Sequence, residues 1–215
     1  MNFPVQTPRS LTWLAPGLRW HMPRTEKLLY LTFDDGPHPE ISLEVMDTLA
    51  AYDAQATFFC VGQNVERYPA VVQAAQAAGH RLGNHTQHHL NGWKTARTPY
   101  LADIRACDMA LETALGQPVQ HFRPPYGKPH LRTLATLKRR YEVVMWDVIA
   151  GDFVQDWSVE RVTYNVLHHS QPGSIVVLHD SEKCYTRLMP ALKAALAHFS
   201  DQGFSFRALP VAGQG

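Results

Sequence analysis

Thr32-Phe33-Asp34-Asp35-Gly36-Pro37 places two adjacent carboxylates at the end of a predicted strand in this chain of 215 residues. The apolar segment before it, Leu28-Leu29-Tyr30-Leu31, is typical of a buried strand, and Gly36-Pro37 ends it. Neighbouring strand residues point to opposite faces, so both aspartates reach one site only if the backbone bends, which Gly36 permits. Such a pair suits a cation ligand beside a proton acceptor, although a polar strand cap also explains it.

Strand and helix patterns alternate along the rest of the chain. We predict seven strands, at residues 28–33, 56–61, 81–85, 121–126, 141–147, 174–179 and 204–209. Six helices are predicted between them, at residues 40–52, 64–78, 98–115, 131–140, 158–169 and 186–199. This alternation, without a repeat or a linker, predicts a parallel (β/α) barrel, closed or incomplete, with right-handed crossovers.

The composition is that of an ordinary globular domain, with 45% hydrophobic and 18% charged residues. The net charge is +1 and no basic run occurs, so we expect no nucleic-acid partner. The cysteines are odd in number and form no CxxC motif, which predicts reduced thiols rather than disulfides: Cys60, Cys107 and Cys184.

Residues 1–26 form an arm with an apolar part, which includes Trp13, Leu14, Leu18 and Trp20. That part is short and is interrupted by Pro16 and Gly17, so it does not match an export signal, and no run is long enough to span a bilayer. We therefore expect a cytoplasmic protein, unless a leader has been removed. The arm is expected to pack on a single domain of residues 27–215 rather than contact a membrane.

Two histidines follow the third predicted strand in Asn84-His85-Thr86-Gln87-His88-His89. His85 and His89 stand four residues apart, so one helical turn after the strand would place both rings on the same side. Two histidines and a carboxylate are a common ligand set for catalytic zinc, with one position open for water. Among twelve histidines the same spacing also arises by chance, and His88 is expected to face away as a surface or packing residue.

Further polar residues follow later strands. The two prolines predict a rigid turn at Arg123-Pro124-Pro125-Tyr126-Gly127, where a backbone N–H could face an oxyanion. Arg123 could pair with a carboxylate. The alternative is a stiff loop with a surface arginine. Trp146 to Phe153 is another strand that runs into acidic residues. The strand Ile175-Val176-Val177-Leu178 ends in His179, which suits either a general acid or a core histidine.

Together these stretches resemble the five ordered motifs of the polysaccharide deacetylases, the NodB-homology family. The motifs are Thr32 to Pro37, His85-Thr86-xx-His89, Arg123 to Gly127, Trp146 to Phe153, and Val177-Leu178-His179-Asp180. The resemblance covers about residues 27–210. It implies a distorted (β/α) barrel with about seven parallel strands and a metal-dependent hydrolase that removes acetyl groups from glycans.

The resemblance also implies a metal site. Asp35, His85 and His89 match the family's metal ligands, usually for Zn²⁺, although some members accept Co²⁺ or Ni²⁺.

The remaining roles are carried over in the same way. Asp34 matches the general base and Arg123 the arginine paired with it. His179 matches the general acid and Asp152 the aspartate that orients the catalytic histidine. Tyr126 matches the residue whose backbone N–H helps to hold the oxyanion.

Two positions depart from the family pattern, where Phe153 replaces a tryptophan and Val177 a leucine in the acetyl-methyl pocket. Both are apolar, so we expect a reshaped pocket with retained chemistry. The first hypothesis is an N-deacetylase that acts, as a monomer, on N-acetylglucosamine-containing glycans such as chitin-like oligosaccharides or peptidoglycan. The alternatives are an O-acetyl esterase acting on acetylxylan or a related glycan, and a catalytically silent glycan-binding or scaffold domain.

Overall fold

The computed structural model describes residues 3–211 and contains a parallel sheet. Its strands are β1 (Leu28–Asp34), β2 (Thr57–Cys60), β3 (Arg81–Asn84), β4 (His121–Phe122), β5 (Glu142–Val143), β6 (Val148–Ile149), β7 (Ile175–His179) and β8 (Ser205–Phe206). The order across the sheet is β5-β4-β3-β2-β1-β7-β6, and β8 pairs with the start of β1. The sheet curls into an incomplete barrel, which confirms the predicted distorted (β/α) barrel.

Helices connect these strands. They are α1 (Arg9–Leu14), α2 (Ile41–Ala50), α3 (Gly62–Arg67), α4 (Pro69–Ala77), α5 (Arg97–Leu115), α6 (Leu134–Leu137), α7 (Val159–His169) and α8 (Tyr185–Asp201). The single helix predicted at residues 64–78 is two helices, because Pro69 cannot continue the hydrogen-bond ladder of α3 and instead begins α4. Ser158 caps the N-terminus of α7, since its hydroxyl accepts a hydrogen bond from the Arg161 N–H.

One predicted strand, at residues 141–147, is replaced by two short strands at opposite edges of the sheet. Before the break, Val144 donates its N–H to Phe122 beside β4. After the break, Asp147 donates its N–H to Ile175 of β7. The chain therefore changes partners within a few residues, and this apolar run links the two edges of the curled sheet. A sequence pattern cannot reveal such a change of partner, because the apolar residues Val143 to Trp146 continue across the break.

The N-terminal arm lies against the same two edges. Arg19 exchanges backbone hydrogen bonds with Val143 and Met145 near β5, while Thr7 donates its N–H to Asp147 beside β6. Along the arm, Trp20 is buried, whereas Trp13 of α1 is 84% exposed. Within residues 3–211, no helix combines the length and apolarity needed to cross a membrane.

The alternation of β1 separates an apolar face from a polar interior. Leu29, Leu31 and Phe33 are fully buried in the main hydrophobic cluster. Thr32 and Asp34, at the alternate positions, both contact the side chain of Arg123. The barrel interior therefore carries polar groups close to the C-terminal ends of the strands, where parallel barrels hold their sites.

Candidate active site

The two aspartates at the end of β1 are turned towards one site by a backbone bend. The bend lies at Asp35, whose φ is +81°, rather than at Gly36 as the sequence suggested. Gly36 serves a different purpose, because its N–H donates to the Asp180 carboxylate at 3.1 Å and a Cβ there would lie 2.2 Å from that carboxylate. A side chain at position 36 would therefore push the aspartate turn away from Asp180.

His85 and His89 converge on Asp35. The distances from the Asp35 Oδ1 to the Nε2 atoms of His85 and His89 are 3.9 Å and 3.2 Å. The expected helical turn between the histidines is wrong, since no helix covers residues 85–89 and both Thr86 and His89 have positive φ angles. The left-handed backbone conformation of these two residues, rather than helical spacing, brings the rings of His85 and His89 to a centroid separation of 5.1 Å.

These three side chains fit a divalent cation. Their potential ligand atoms all lie within 4.8 Å of one another. His85 Nδ1 lies 2.7 Å from the Arg123 carbonyl oxygen, an arrangement that leaves Nε2 free to ligate. Burial lowers the pKa of His85 to about 4, so its ring is neutral. Burial acts to raise the pKa of Asp35, but the hydrogen bond with His89 and the neighbouring histidines outweigh it and hold that pKa below its usual range.

A lysine outside the five motifs completes the surroundings of Asp35. Lys183 places its Nζ 3.1 Å from Asp35 Oδ2, on the oxygen that does not face His85 and His89. Burial acts to lower the pKa of Lys183, but Asp35 outweighs this and raises it. The only sequence signal was its position four residues after His179, which does not distinguish it from an ordinary surface lysine.

Asp34 forms a buried ion pair with Arg123. The Arg123 Nη1 donates to Asp34 Oδ1 at 2.7 Å and to the Thr32 hydroxyl at 2.8 Å, and Nη2 donates to the Met145 carbonyl at 2.8 Å. The guanidinium is fully buried and lies 4.1 Å from the centre of the Phe59 ring. The alternative of a surface arginine is therefore wrong, and Arg123 fixes one oxygen of Asp34. The other oxygen, Oδ2, lies 3.9 Å from His85 Nε2.

His179 stands beside Asp34 and is held by Asp152. The register of β1 and β7 places Asp34 and His179 opposite each other. The Asp152 carboxylate accepts hydrogen bonds from the His179 backbone N–H at 2.7 Å and from ring Nδ1 at 2.8 Å. Burial disfavours the charged ring, but Asp152 outweighs burial and raises the pKa of His179 to about 9. His179 is therefore protonated at neutral pH, as a proton donor must be.

The rim of the site is partly aromatic. Tyr126 is 59% exposed, has a φ of +61°, and places its hydroxyl 3.1 Å from His89 Nδ1. On the other side, the Phe153 ring meets the His179 ring edge-on at 5.1 Å and stacks on Phe3 of the arm at 5.4 Å. His88 is turned outwards and pairs with Asp103 at 2.6 Å, in agreement with its expected surface position.

Comparisons with known proteins agree with this arrangement. The family model for polysaccharide deacetylase matches residues 21–145, which is more than half of the chain. The chain belongs to the polysaccharide deacetylase family. This membership confirms the family resemblance and the enzyme class that the five motifs predicted.

Individual relatives cover most of the chain. A peptidoglycan-N-acetylglucosamine deacetylase of Bacillus cereus is 34% identical over 191 residues, covering 87% of this chain and 88% of the relative. A chitooligosaccharide deacetylase of Azorhizobium caulinodans is 34% identical over 162 residues, covering 73% of this chain and 75% of the relative. The crystal structure of the Bc1960 peptidoglycan N-acetylglucosamine deacetylase superposes with a TM-score of 0.86 at 29% identity, over 95% of both chains.

Proposed function

We propose that this protein is a metal-dependent hydrolase that removes acetyl groups from N-acetylglucosamine-containing glycans, either chitin-like oligosaccharides or peptidoglycan. The supporting observation is the convergence at one barrel mouth of an Asp-His-His set, an Asp–Arg pair and a His–Asp pair. Relatives named as deacetylases of both glycan types match the chain at about the same identity. They support the reaction class more strongly than a choice between the two substrates.

We assign Asp35, His85 and His89 as the ligands of the cation, with Zn²⁺ as the expected metal and Co²⁺ or Ni²⁺ as alternatives. One carboxylate and two imidazoles form a ligand set that suits zinc and leaves room for substrate and water. When bound, the cation polarises the acetyl carbonyl and acidifies the attacking water. The Arg123 carbonyl and Lys183 would orient His85 and Asp35, respectively, by contacting the atoms that face away from the cation.

Asp34 is the proposed general base. Arg123 holds its Oδ1, which leaves Oδ2 to accept the proton of the water that attacks the acetyl carbonyl. Oδ2 lies 3.9 Å from Nε2 of His85, one of the three proposed ligands, so the proposed base borders the proposed cation site. Without a base at this position the water would have to attack before losing its proton.

His179 is the proposed general acid, and Asp152 is its positioning residue. The amine released from an amide is a poor leaving group unless the nitrogen is protonated as the C–N bond breaks. With a pKa raised to about 9 by Asp152 against the effect of burial, His179 carries that proton at neutral pH. Because His179 stands opposite Asp34 across β1 and β7, the acid and the base flank one reacting carbonyl.

Two further groups would complete the site. We propose that the backbone N–H of Tyr126 contributes to the oxyanion hole, since its ring lies 4.6 Å from the His89 ring and its segment therefore borders the ligand set. Phe153 and Val177 are proposed to contact the acetyl methyl group. Phe153 packs against the His179 ring, and Val177 lies two residues before His179 on the same face of β7.

We propose that residues 1–26 form an arm on a deacetylase domain of residues 27–215 and that the enzyme acts as a monomer. The arm's hydrogen bonds to residues near β5 and β6 support this division. Its Phe3 also supports Phe153 at the proposed methyl pocket, so the arm would contribute to the site indirectly.

Acetate release tests the proposed function. Purified protein is treated with a chelator and then assayed with and without Zn²⁺ on chitooligosaccharides, peptidoglycan fragments and acetylxylan, with the His179→Ala variant as control. The proposal predicts zinc-dependent acetate release from one of the N-acetylated glycans and a loss of about 10²-fold or more in the variant. Release from acetylxylan alone would support the esterase alternative. No release from any substrate would support the silent domain.

A further inference from the structure

A second group of potential metal ligands includes the proposed general acid. Asp152, His179 and Cys184 offer a carboxylate oxygen, a ring nitrogen and a sulfur that all lie within 4.8 Å of one another. Cys184 is fully buried, immediately before α8, and its sulfur lies 3.4 Å from the Ser181 hydroxyl. It forms no disulfide, so its thiol is available to a metal.

The three donors differ in kind from the set around Asp35. Thiolate, imidazole and carboxylate are all ligands of Zn²⁺ in proteins, and a thiolate favours soft cations over hard ones. The Asp35 set has no sulfur, so a cation such as Cd²⁺ meets two chemically different sets of ligands in this protein.

We propose that Asp152, His179 and Cys184 form a second, inhibitory site for a thiophilic divalent cation, namely Cd²⁺ or Zn²⁺ in excess. Binding converts the Cys184 thiol to a thiolate and takes one ring proton from the His179 imidazolium, and both protons pass to solvent. The bound ring is neutral and no longer protonates a leaving amine at neutral pH. The inhibitory effect rests on the proposed role of His179, whereas metal binding at the cluster does not.

The two groups of ligands differ in how accessible they are to a cation. The Asp35 set is open to a cation, with Asp35 and His89 partly exposed. At the second cluster a buried thiol must lose its proton and the His179–Asp152 hydrogen bond must open before a cation enters. The His179 side chain is 14% exposed, whereas Asp152 and Cys184 are fully buried, so solvent meets the cluster at His179. We therefore expect binding here only after the first site is occupied.

Ultraviolet absorption separates the two sites, since only a sulfur ligand gives a thiolate-to-Cd²⁺ charge-transfer band. In the zinc-loaded protein, titration with Cd²⁺ is expected to produce this band in wild type and in Cys107→Ser, which removes another buried thiol, but not in Cys184→Ser. Absence of the band from wild type, or its persistence in Cys184→Ser, would overturn the proposal. Cadmium NMR of the wild type, which requires no variant, must likewise show a separate sulfur-bound resonance, and a single resonance without sulfur would refute the site.

Acetate release measured along the same titration tests inhibition. The activity of wild type is expected to fall by about 10²-fold at saturation, as for loss of a general acid, whereas Cys184→Ser keeps its own starting activity. Equal inhibition of the two proteins would overturn the inhibitory role. If neither protein releases acetate before Cd²⁺ is added, the proposed function fails, and the absorption band still decides whether the site exists.

Discussion

Arg123 is a fully buried guanidinium, and Asp34 is the carboxylate that neutralises it. Removing one charge of a buried pair leaves the other uncompensated, which typically costs about 3–5 kcal/mol. We predict that Asp34→Asn loses about that much free energy of unfolding and, because the base is gone, also loses acetate release by about 10²-fold or more. Urea unfolding and the acetate assay measure the two effects separately.

The double variant Asp34→Asn/Arg123→Met separates stability from catalysis. An apolar side chain at position 123 removes the uncompensated charge, so the double variant is expected to unfold at a higher urea concentration than Asp34→Asn while remaining inactive. If Asp34→Asn and wild type have the same free energy of unfolding, the buried ion pair makes no net contribution to stability.

The pH dependence of the reaction should report the His179–Asp152 pair. Because the pKa of His179 is raised from 6.5 to about 9 in the fold, its protonated form stabilises the folded protein fully below 6.5. That contribution is lost as the pH rises through about 9. In Asp152→Asn the counter-charge is absent and burial dominates, so the alkaline limb of the kcat profile is expected to move to lower pH, and kcat to fall about 10- to 100-fold.

The control is that Asp152→Asn unfolds cooperatively, as wild type does. If the alkaline limb of its kcat profile is then not shifted, the assignment of that limb to His179 is wrong. Measurement of the zinc bound per chain in the variant and in wild type, alongside the two profiles, excludes a difference in metal occupancy.

At the residue scale, the sequence was informative where chemistry is concentrated in short motifs. Asp34, Asp35, His85 and His179 all stand at or next to strand ends, so a parallel barrel alone predicts that they meet. The route between the two histidines was predicted incorrectly, because positive φ angles at Thr86 and His89 have no reliable signature outside glycine. Lys183 was missed because its role depends on a tertiary contact with Asp35.

At the scale of elements, the segment from β5 to β6 and the N-terminal arm together bridge the gap between the two edge strands of the incomplete barrel. The arm's Arg19 and Thr7 hydrogen-bond to residues on either side of the point where the chain changes strand partner. Trp20 is 7% exposed, and its Nε1 donates to the Ala15 carbonyl within the arm at 3.2 Å, so its buried ring rather than this internal hydrogen bond anchors the arm. The contact of the arm with both edges could not be predicted from the sequence, because the arm contributes isolated bridges rather than a strand with a recognisable period.

A matched pair of tryptophan variants tests the anchoring role of the arm. Trp20→Ala is expected to lower the free energy of unfolding by about 3–5 kcal/mol, as for a buried aromatic side chain. Trp13→Ala, in the exposed part of the same arm, should change it by no more than about 0.5 kcal/mol. Equal and small effects of both substitutions, measured by urea unfolding, would show that the arm adds nothing to the stability of the barrel.

For the whole molecule, the topology explains why residues 34 and 179 meet although they are far apart in sequence. β1 and β7 are neighbours in the sheet, and their register sets the last residues of the two strands side by side. Strand β3 ends on the other side of β2, so His85 enters from that side. The alternation of strands and helices predicted this convergence, whereas the strand order required the structure.

The proposed reaction depends on one cation held by Asp35, His85 and His89 at this barrel mouth. The most direct test is acetate release from N-acetylated glycans by chelated protein before and after Zn²⁺ is restored, with the metal content of each sample measured. The expected result is activity that is lost on chelation, regained on addition of about one equivalent of zinc per chain, and not regained in His85→Ala. Undiminished acetate release by the metal-free protein would contradict the account.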